Sequence, residues 1–443
     1  MITLLALCGL VILALVREQT GTEGFLAGLG LAVLPVPLMI AAFRWLDRVE
    51  PEPWRNLAFA FAWGACAATL MAIIANGFAT EWIATRVESS SPTQAETWGA
   101  TVIAPVVEES AKGAALLLLF VFRRRDFDGI VDGVVIAGIT ATGFAFTENI
   151  LYLGNAFGED QALGSSGISV TAATFFIRIV MSPFAHPLFT ALTGIGFGIA
   201  ALATPRQRVR RVLVPLAGLL TAIVLHAVWN GSATVGGLGF IAVYGMFMVP
   251  VFGLLIWLVI WSRGSELRTV RSQLPAYVAA GWLQPQEPQA LSSMRARSLA
   301  RTVARRHHGK DAARVVAEYE SFATTLAFLR QRAHRGTAGA DFVAREQELL
   351  HHLWQRKDVA QPALAHAALV TAPPRIPQWG PHGRPPYGPG VPSQHGQVHG
   401  PAMPPQAGPG PYAQGPYGQG GVGQGPYGHG PGASTDFRPP YGR

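Results

Sequence analysis

The chain has 443 residues, half of them hydrophobic and only 14% charged, with 50 Gly, 33 Pro and a formal charge of +8. Soluble globular domains carry about a quarter charged residues, so this deficit excludes an ordinary soluble enzyme and points to a membrane class. The charge is divided: residues 1–262 hold 14 Lys/Arg against 16 Asp/Glu, whereas residues 263–443 hold 20 against 10, so the basic excess is entirely C-terminal.

A bilayer is crossed by about 17 to 25 apolar residues in a helix. Stretches of that kind run in chain order over 2–16, 24–43, 57–76, 98–122, 129–153, 170–203, 212–230 and 238–261, which predicts eight spans. The first is short, with no basic region before it and no small-x-small cleavage site after it, and is expected to be an uncleaved anchor. Cys8 and Cys66 sit inside apolar runs, which leaves no disulfide framework and no CxxC metal pattern. Loop charges alternate. Arg44, Arg48 and Arg55 lie in the loop 44–56, Arg123, Arg124 and Arg125 in the turn 123–128, and Arg206, Arg208, Arg210 and Arg211 in the loop 204–211. The intervening loops hold Arg86 alone, or no basic residue. Basic residues concentrate on the cytoplasmic side, so both termini are expected in the cytoplasm of a multi-pass cell-membrane protein.

Beyond the spans the chain divides twice more. Residues 263–360 mix charge with apolar residues at helical spacing, as in Tyr319, Phe322, Leu326 and Leu329, and predict a small helical cytoplasmic region. Residues 361–443 repeat Gly, Pro, Gln and Tyr with few aliphatic side chains, too few to offset ordering entropy, and are expected to be disordered. The fold class is therefore all-α: a polytopic membrane domain over 1–262, then the helical region and the tail. Basic charge beside a membrane predicts attraction to anionic lipid. No nucleic-acid partner is expected, because no recognised binding motif accompanies the charge.

Ionisable residues inside membrane helices are costly and call for a partner or a function. The fourth span holds Glu108, Glu109 and Lys112, the fifth Glu148, the sixth Arg178 and His186, and the seventh His226 and Asn230. Glu108 lies about ten residues into its span, roughly 15 Å at 1.5 Å per residue, near mid-bilayer. Three carboxylates and two imidazoles converging from four helices are a ligand set suited to Zn²⁺, which can acidify a bound water and polarise a carbonyl. One carboxylate must then stay off the metal. The favoured arrangement makes Glu108 or Glu109 the general base and Glu148, His186 and His226 the metal-facing groups; the sequence does not choose between the two glutamates. Glu108 and Lys112, at i and i+4, share a helix face, so Lys112 is expected to neutralise Glu108 and leave Glu109 free. Tyr152 shares a face with Glu148, and Asn230 with His226, which makes both candidates to orient ligands or to donate to an oxyanion. Arg178 is expected to pair with an acidic neighbour, Glu50 and Glu52 to lie in a solvated turn, and Gly194, Gly196 and Gly198 to let helices approach closely.

These motifs resemble the PrsW family of bacterial intramembrane metalloproteases: Glu108-Glu109-x-x-Lys112, then Gly143-Phe144-Ala145-Phe146-Thr147-Glu148-Asn149, then His186-Pro187-Leu188-Phe189, then His226-Ala227-Val228-Trp229-Asn230. Asp47-Arg48-Val49-Glu50-Pro51-Glu52-Pro53 resembles a further hallmark, and the likeness covers roughly residues 30–260. It implies a membrane-embedded peptidase with Zn²⁺ as cofactor, and in the family's best-known role an extracytoplasmic first cut in a membrane-spanning anti-sigma factor. The related CAAX proteases imply a metal-free alternative, in which Glu and His activate water and His with Asn holds the oxyanion. Two other classes compete. A proton-coupled transporter would also bury acids and imidazoles but should show internal repeats, and none is evident between the first four and last four spans. A catalytically idle scaffold has little reason to keep several buried carboxylates.

Overall fold

The computed structural model describes residues 2–86, 92–123, 127, 129–164, 169–204 and 206–372. Arg124, Arg125 and residues 373–443 of the expected tail lie outside them. Among the described residues every regular element is helical. The membrane region comprises α1 (Ile2–Ala32), α2 (Pro35–Leu46), α3 (Trp54–Ala62), α4 (Thr69–Arg86), α5 (Pro92–Trp98), α6 (Ala104–Phe122), α7 (Ile130–Leu163), α8 (Val170–Phe175), α9 (Ala185–Ala201), α10 (Arg208–Ser232), α11 (Gly236–Val243) and α12 (Val249–Gln273). After it come α13 (Pro275–Ala279), α14 (Glu287–Leu291), α15 (Met294–His334) and α16 (Phe342–Thr371).

Five helical stretches among the described residues are long and apolar enough to cross a membrane: Thr3–Leu46, Trp54–Ala79, Ile130–Leu163, Val170–Ala201 and Arg208–Ala279. The difference from eight has a geometric cause. The first stretch has 44 residues and the last 72, and a helix rising 1.5 Å per residue covers a hydrocarbon core of about 30 Å in some 20. Each long stretch therefore holds two expected spans, with the chain breaking at Gly21 (φ 71°) in the first and Gly236 (φ 78°) in the last, a left-handed conformation that glycine adopts without steric cost. The remaining expected span contains α6, where Glu108, Glu109 and Lys112 make the helix too polar to qualify by composition.

The bundle is organised around α7, whose apolar window is 83% buried. It can be enclosed because small residues let its neighbours come within backbone contact. A Cβ at Gly133 would lie 2.0 Å from the Gly194 carbonyl oxygen of α9, and one at Gly194 would lie 2.2 Å from that of Gly133. Gly196 meets α10 in the same way at Val214 and Pro215. The glycines of α9 thus pack closely on two helices at once, as small residues do in lipid, where no hydrophobic force draws helices together.

The α3–α4 segment is interrupted by a π-helical turn, Trp63–Ala68. Within it the Gly64 carbonyl accepts from Thr69 Oγ1 at 2.8 Å and the Ala65 carbonyl from Thr147 Oγ1 of α7 at 2.8 Å, while Trp63 Nε1 donates to the Ala111 carbonyl of α6 at 2.9 Å. The sixth expected span is also broken. A π turn, Phe176–Met181, leads into non-helical Ser182–Phe184, and α9 restarts at Ala185. Irregular backbone at such a depth is tolerated only where protein or a cavity surrounds it.

The C-terminal helices form a core of their own. Tyr319, Leu326 and Leu329 are buried in it together with Leu350, Leu353, Leu364 and Ala367, and Phe322 packs on its edge, stacked on His352. Here the expected boundary at 361 is corrected: α16 runs unbroken to Thr371, because Ala363, Leu364, Ala367 and Ala368 continue its buried stripe past Pro362. Glu50 and Glu52 are corrected as well. Glu52 is buried and accepts from Asn56 Nδ2 at 3.0 Å, and Glu50 accepts from Thr325 Oγ1 of α15 at 3.0 Å. Their loop is held between two parts of the protein rather than solvated.

Candidate active site

Four segments of the bundle deliver the polar residues to one place. On α6, Pro105 near the helix start leaves Glu108, Glu109 and Lys112 on the following turns, where Glu109 and Lys112 are fully buried. The i, i+4 argument is overturned in detail. Lys112 Nζ lies 2.9 Å from Glu109 Oε1 and 3.4 Å from Glu108 Oε2, so its closer partner is the residue three positions back. Glu109 is consequently the occupied carboxylate: besides Lys112 it accepts from Thr190 Oγ1 of α9 at 2.8 Å and meets His226 Nδ1 of α10 at 3.0 Å. Glu108, with no contact as short, borders the cleft.

An ionised carboxylate can only accept. Toward an ionised Glu109, His226 can present only Nδ1–H as donor, and its Nε2 lies 3.9 Å from Glu108 Oε2. The imidazole is held flat by Phe189, stacked at 4.7 Å between centroids, and stands edge-on to His186 at 5.3 Å. His186 occupies the first turn of α9, directly after the break, with Nδ1 3.1 Å from Lys112 Nζ and Nε2 2.8 Å from Glu148 Oε2. Lys112 also lies 3.9 Å from the centroid of Phe144, a cation–π contact that offsets part of its lost hydration.

Glu148 of α7 meets this group at His186 and has a second partner on the other side. Arg178, on the π turn, pairs with Glu148 through Nη2, donates from Nε to Asn149 Oδ1 at 2.7 Å, and lies 4.0 Å over the ring of Tyr152. Among the described residues, three side chains whose ligand atoms all lie within 4.8 Å of one another are Glu108, His186 and His226. Glu148, also expected to face a metal, is not one of these three and touches them through His186 at 2.8 Å. One carboxylate and two imidazoles are a donor set that divalent zinc accepts, so the residues fit a metal by chemistry and by convergence.

The cluster opens on a cleft of about 710 Å³, bordered by Glu108, Glu148, His186, Tyr152, Arg178 and Asn230 among others. Asn230 borders the cleft as its helix face requires, with Nδ2 donating to the Ala100 carbonyl at 2.8 Å. Glu108, Glu109, Lys112, Glu148, His186 and His226 contact one another in the cluster, and Tyr152, Arg178 and Asn230 line the cleft beside it. Thr190 is the site residue that the sequence does not single out: it is not ionisable, and a Thr in an apolar helix carries no signal until a partner is seen beside it. Arg178 was noticed for its charge, but its role as the partner of Glu148 needed the fold.

Residues 52–256 match the model of the PrsW family intramembrane metalloproteases. Over 198 residues the chain is 28% identical to Protease PrsW of Geobacillus kaustophilus, covering 45% of this chain and 76% of that protein. No solved structure matches the chain.

Proposed function

We propose that the chain, whose residues 52–256 match the PrsW family model, is an intramembrane protease whose active site is the Glu108–Glu109–Lys112–Glu148–His186–His226 cluster. The observation that carries this reading is the convergence of Glu108, His186 and His226 to within 4.8 Å beside an open cleft. Hydrolysis needs a water activated by a base, a carbonyl made electrophilic and a proton returned to the leaving amine.

In the metal-dependent form, Glu108, His186 and His226 hold Zn²⁺, which when bound polarises the scissile carbonyl and acidifies water. Glu148 is then the cleft carboxylate left to take the proton of the attacking water, and Arg178 orients it. Glu109 and Lys112 do not touch substrate. Glu109 fixes the tautomer of His226, and Lys112 holds Glu109 and His186 in register. Water oxygen bonds to the carbonyl carbon, the peptide C–N bond breaks, and the abstracted proton passes to the departing nitrogen. The first turn of α9 brings backbone dipole to the same edge of the cleft, where negative charge develops.

One observation favours a metal-free second reading: the Lys112 ammonium already lies within 3.4 Å of Glu108 and 3.1 Å of His186. There Glu108 itself takes the proton from water. The experiment is metal analysis of detergent-purified protein alongside cleavage of a membrane-spanning substrate. We expect stoichiometric zinc in the parent protein and its loss in His186→Ala and His226→Ala, with Glu108→Gln inactive by at least about a hundredfold, in the range seen when a single transition-state contact is removed. Full proteolysis by the His variants would overturn the protease site. Activity without zinc would select the second reading.

The substrate class we propose is a membrane-spanning protein, with an anti-sigma factor cut on its extracytoplasmic side as the first to test. The same proposal puts both termini and the C-terminal helices in the cytoplasm, on the ground of the arginine-rich loops at 44–56, 123–128 and 204–211.

A further inference from the structure

A second concavity, about 700 Å³, lies where the membrane helices meet the C-terminal helices. Its walls are Phe127, the end of α9 at Ala201 and Leu202, the start of α10 at Arg211, the last turn of α15 and the loop 335–341. Four arginines line it, Arg211, Arg332, Arg335 and Arg345, against one carboxylate, Asp341. Among the described residues the guanidinium groups of Arg335 and Arg345 have no ion pair or side-chain hydrogen bond. Gly336, at φ 68°, turns the chain back so that both ends of the loop face the cavity. The N-terminal end of α16, a 30-residue helix, supplies Arg345 from its first turns and adds the positive end of its dipole.

A concentration of guanidinium forks in a concave pocket is the recognition chemistry of a phosphate group. The surroundings choose between a free phosphate and a lipid. The cavity sits where apolar helix gives way to soluble helix, with the exposed Leu202 at the end of α9 on its wall. A lipid whose acyl chains lie in the bilayer can therefore bring its headgroup to the arginines.

We propose that this cavity is a binding site for the phosphate headgroup of an anionic phospholipid, which bridges α10 to the α15–α16 loop. The site uses none of the residues of the protease cluster, so it stands or falls independently of the proposed activity.

The test is the thermal unfolding midpoint of the full chain in zwitterionic detergent micelles at constant ionic strength, titrated with phosphatidylglycerol, phosphatidylcholine or glycerol phosphate. Phosphatidylglycerol should raise the midpoint saturably while the other two leave it unmoved. Arg335→Gln with Arg345→Gln should weaken the apparent affinity at least about tenfold. Arg305→Gln, exposed on α15 and outside the cavity, should not weaken it, and Arg335→Lys with Arg345→Lys should recover part of the loss if the Gln variant unfolds during purification. Equal response to phosphatidylcholine, or an unchanged affinity in the Gln variant, overturns the site. Saturation by glycerol phosphate as tight as by the lipid overturns the assignment to lipid.

Discussion

The buried glutamate beside Lys112 shows how one hydroxyl can matter as much as a charge. Glu109 is fully enclosed and has three partners, of which Thr190 contributes a hydroxyl. A buried acceptor that loses a donor costs about 1 to 3 kcal/mol, more when it is charged. Thr190→Val keeps the shape and removes the donor, so Glu109 is expected to pull closer to Lys112 and to release His226 from its set tautomer. The expected result is a tenfold or greater fall in kcat with KM little changed, because Thr190 touches Glu109 rather than the cleft. Thr190→Ser, which restores the hydroxyl, should recover most of the rate; failure to do so would mean that the methyl group rather than the hydrogen bond is what counts.

Among the elements, α9 carries the most demanding contacts. Its glycines meet α7 on one side and α10 on the other, and His186 is at its start, so its position sets the distance between the two imidazoles. In Gly194→Val the added carbon would fall 2.2 Å from a backbone oxygen that belongs to another helix. Backbone has no rotamer to yield, so α9 must move away from α7. Expected are a lowered unfolding midpoint and loss of activity, whereas Gly231→Val, where nothing lies within 4 Å of the added carbon, should be tolerated in that respect. The breaks beside the site belong to the same scale. A single long helix would carry Arg178 and His186 past each other on its turns; the π turn and Ser182–Phe184 set Arg178 on Glu148 and His186 on Lys112 together.

At the scale of the whole molecule, the C-terminal helices are joined to the membrane region through the Asp47–Pro53 loop. Arg297 of α15 is buried and donates to the Val49 carbonyl at 3.1 Å, to the Leu291 carbonyl at 2.7 Å and to Thr324 Oγ1 at 2.7 Å. Burial pushes Asp47 and Glu320, which flank this junction, up to about 7, and each keeps one buried oxygen without a hydrogen-bond partner. For a carboxyl raised above its ordinary value the folded state holds the extra proton, so the stability it contributes is complete below its unfolded pKa and is lost as pH rises through 7. The unfolding midpoint is therefore expected to fall between about pH 4 and pH 7, and Asp47→Asn with Glu320→Gln should flatten that slope. A slope unchanged in the double variant would assign the pH dependence elsewhere. Truncation gives a second check. Ending the chain after 372 should spare folding and cleavage, but ending it after 360 removes Ala363, Leu364, Ala367 and Ala368 from the core and should destabilise the α15–α16 pair.

Much of this protein could be read from residue order alone, for a physical reason. Lipid admits only backbone that satisfies its own hydrogen bonds and side chains that need no water, so long apolar runs declared the helices, and each intramembrane charge declared itself an exception. Glu108, Glu148, His186 and His226 stood out as such exceptions for the same reason. What sequence could not supply was direction. A helix offers neighbouring faces at i+3 and i+4 alike, and only the packing of α6 against α9 and α10 decided that Lys112 closes on Glu109 and leaves Glu108 on the cleft, while the break before α9 sets Glu148 between Arg178 and His186. The Asp47–Pro53 loop has the same lesson. Glu50 and Glu52 read as solvated because local sequence sees prolines and charge; Glu52 meets Asn56 only four residues on, but the Glu50 partner, Thr325, lies on α15, hundreds of residues away, where only the tertiary fold brings it into reach.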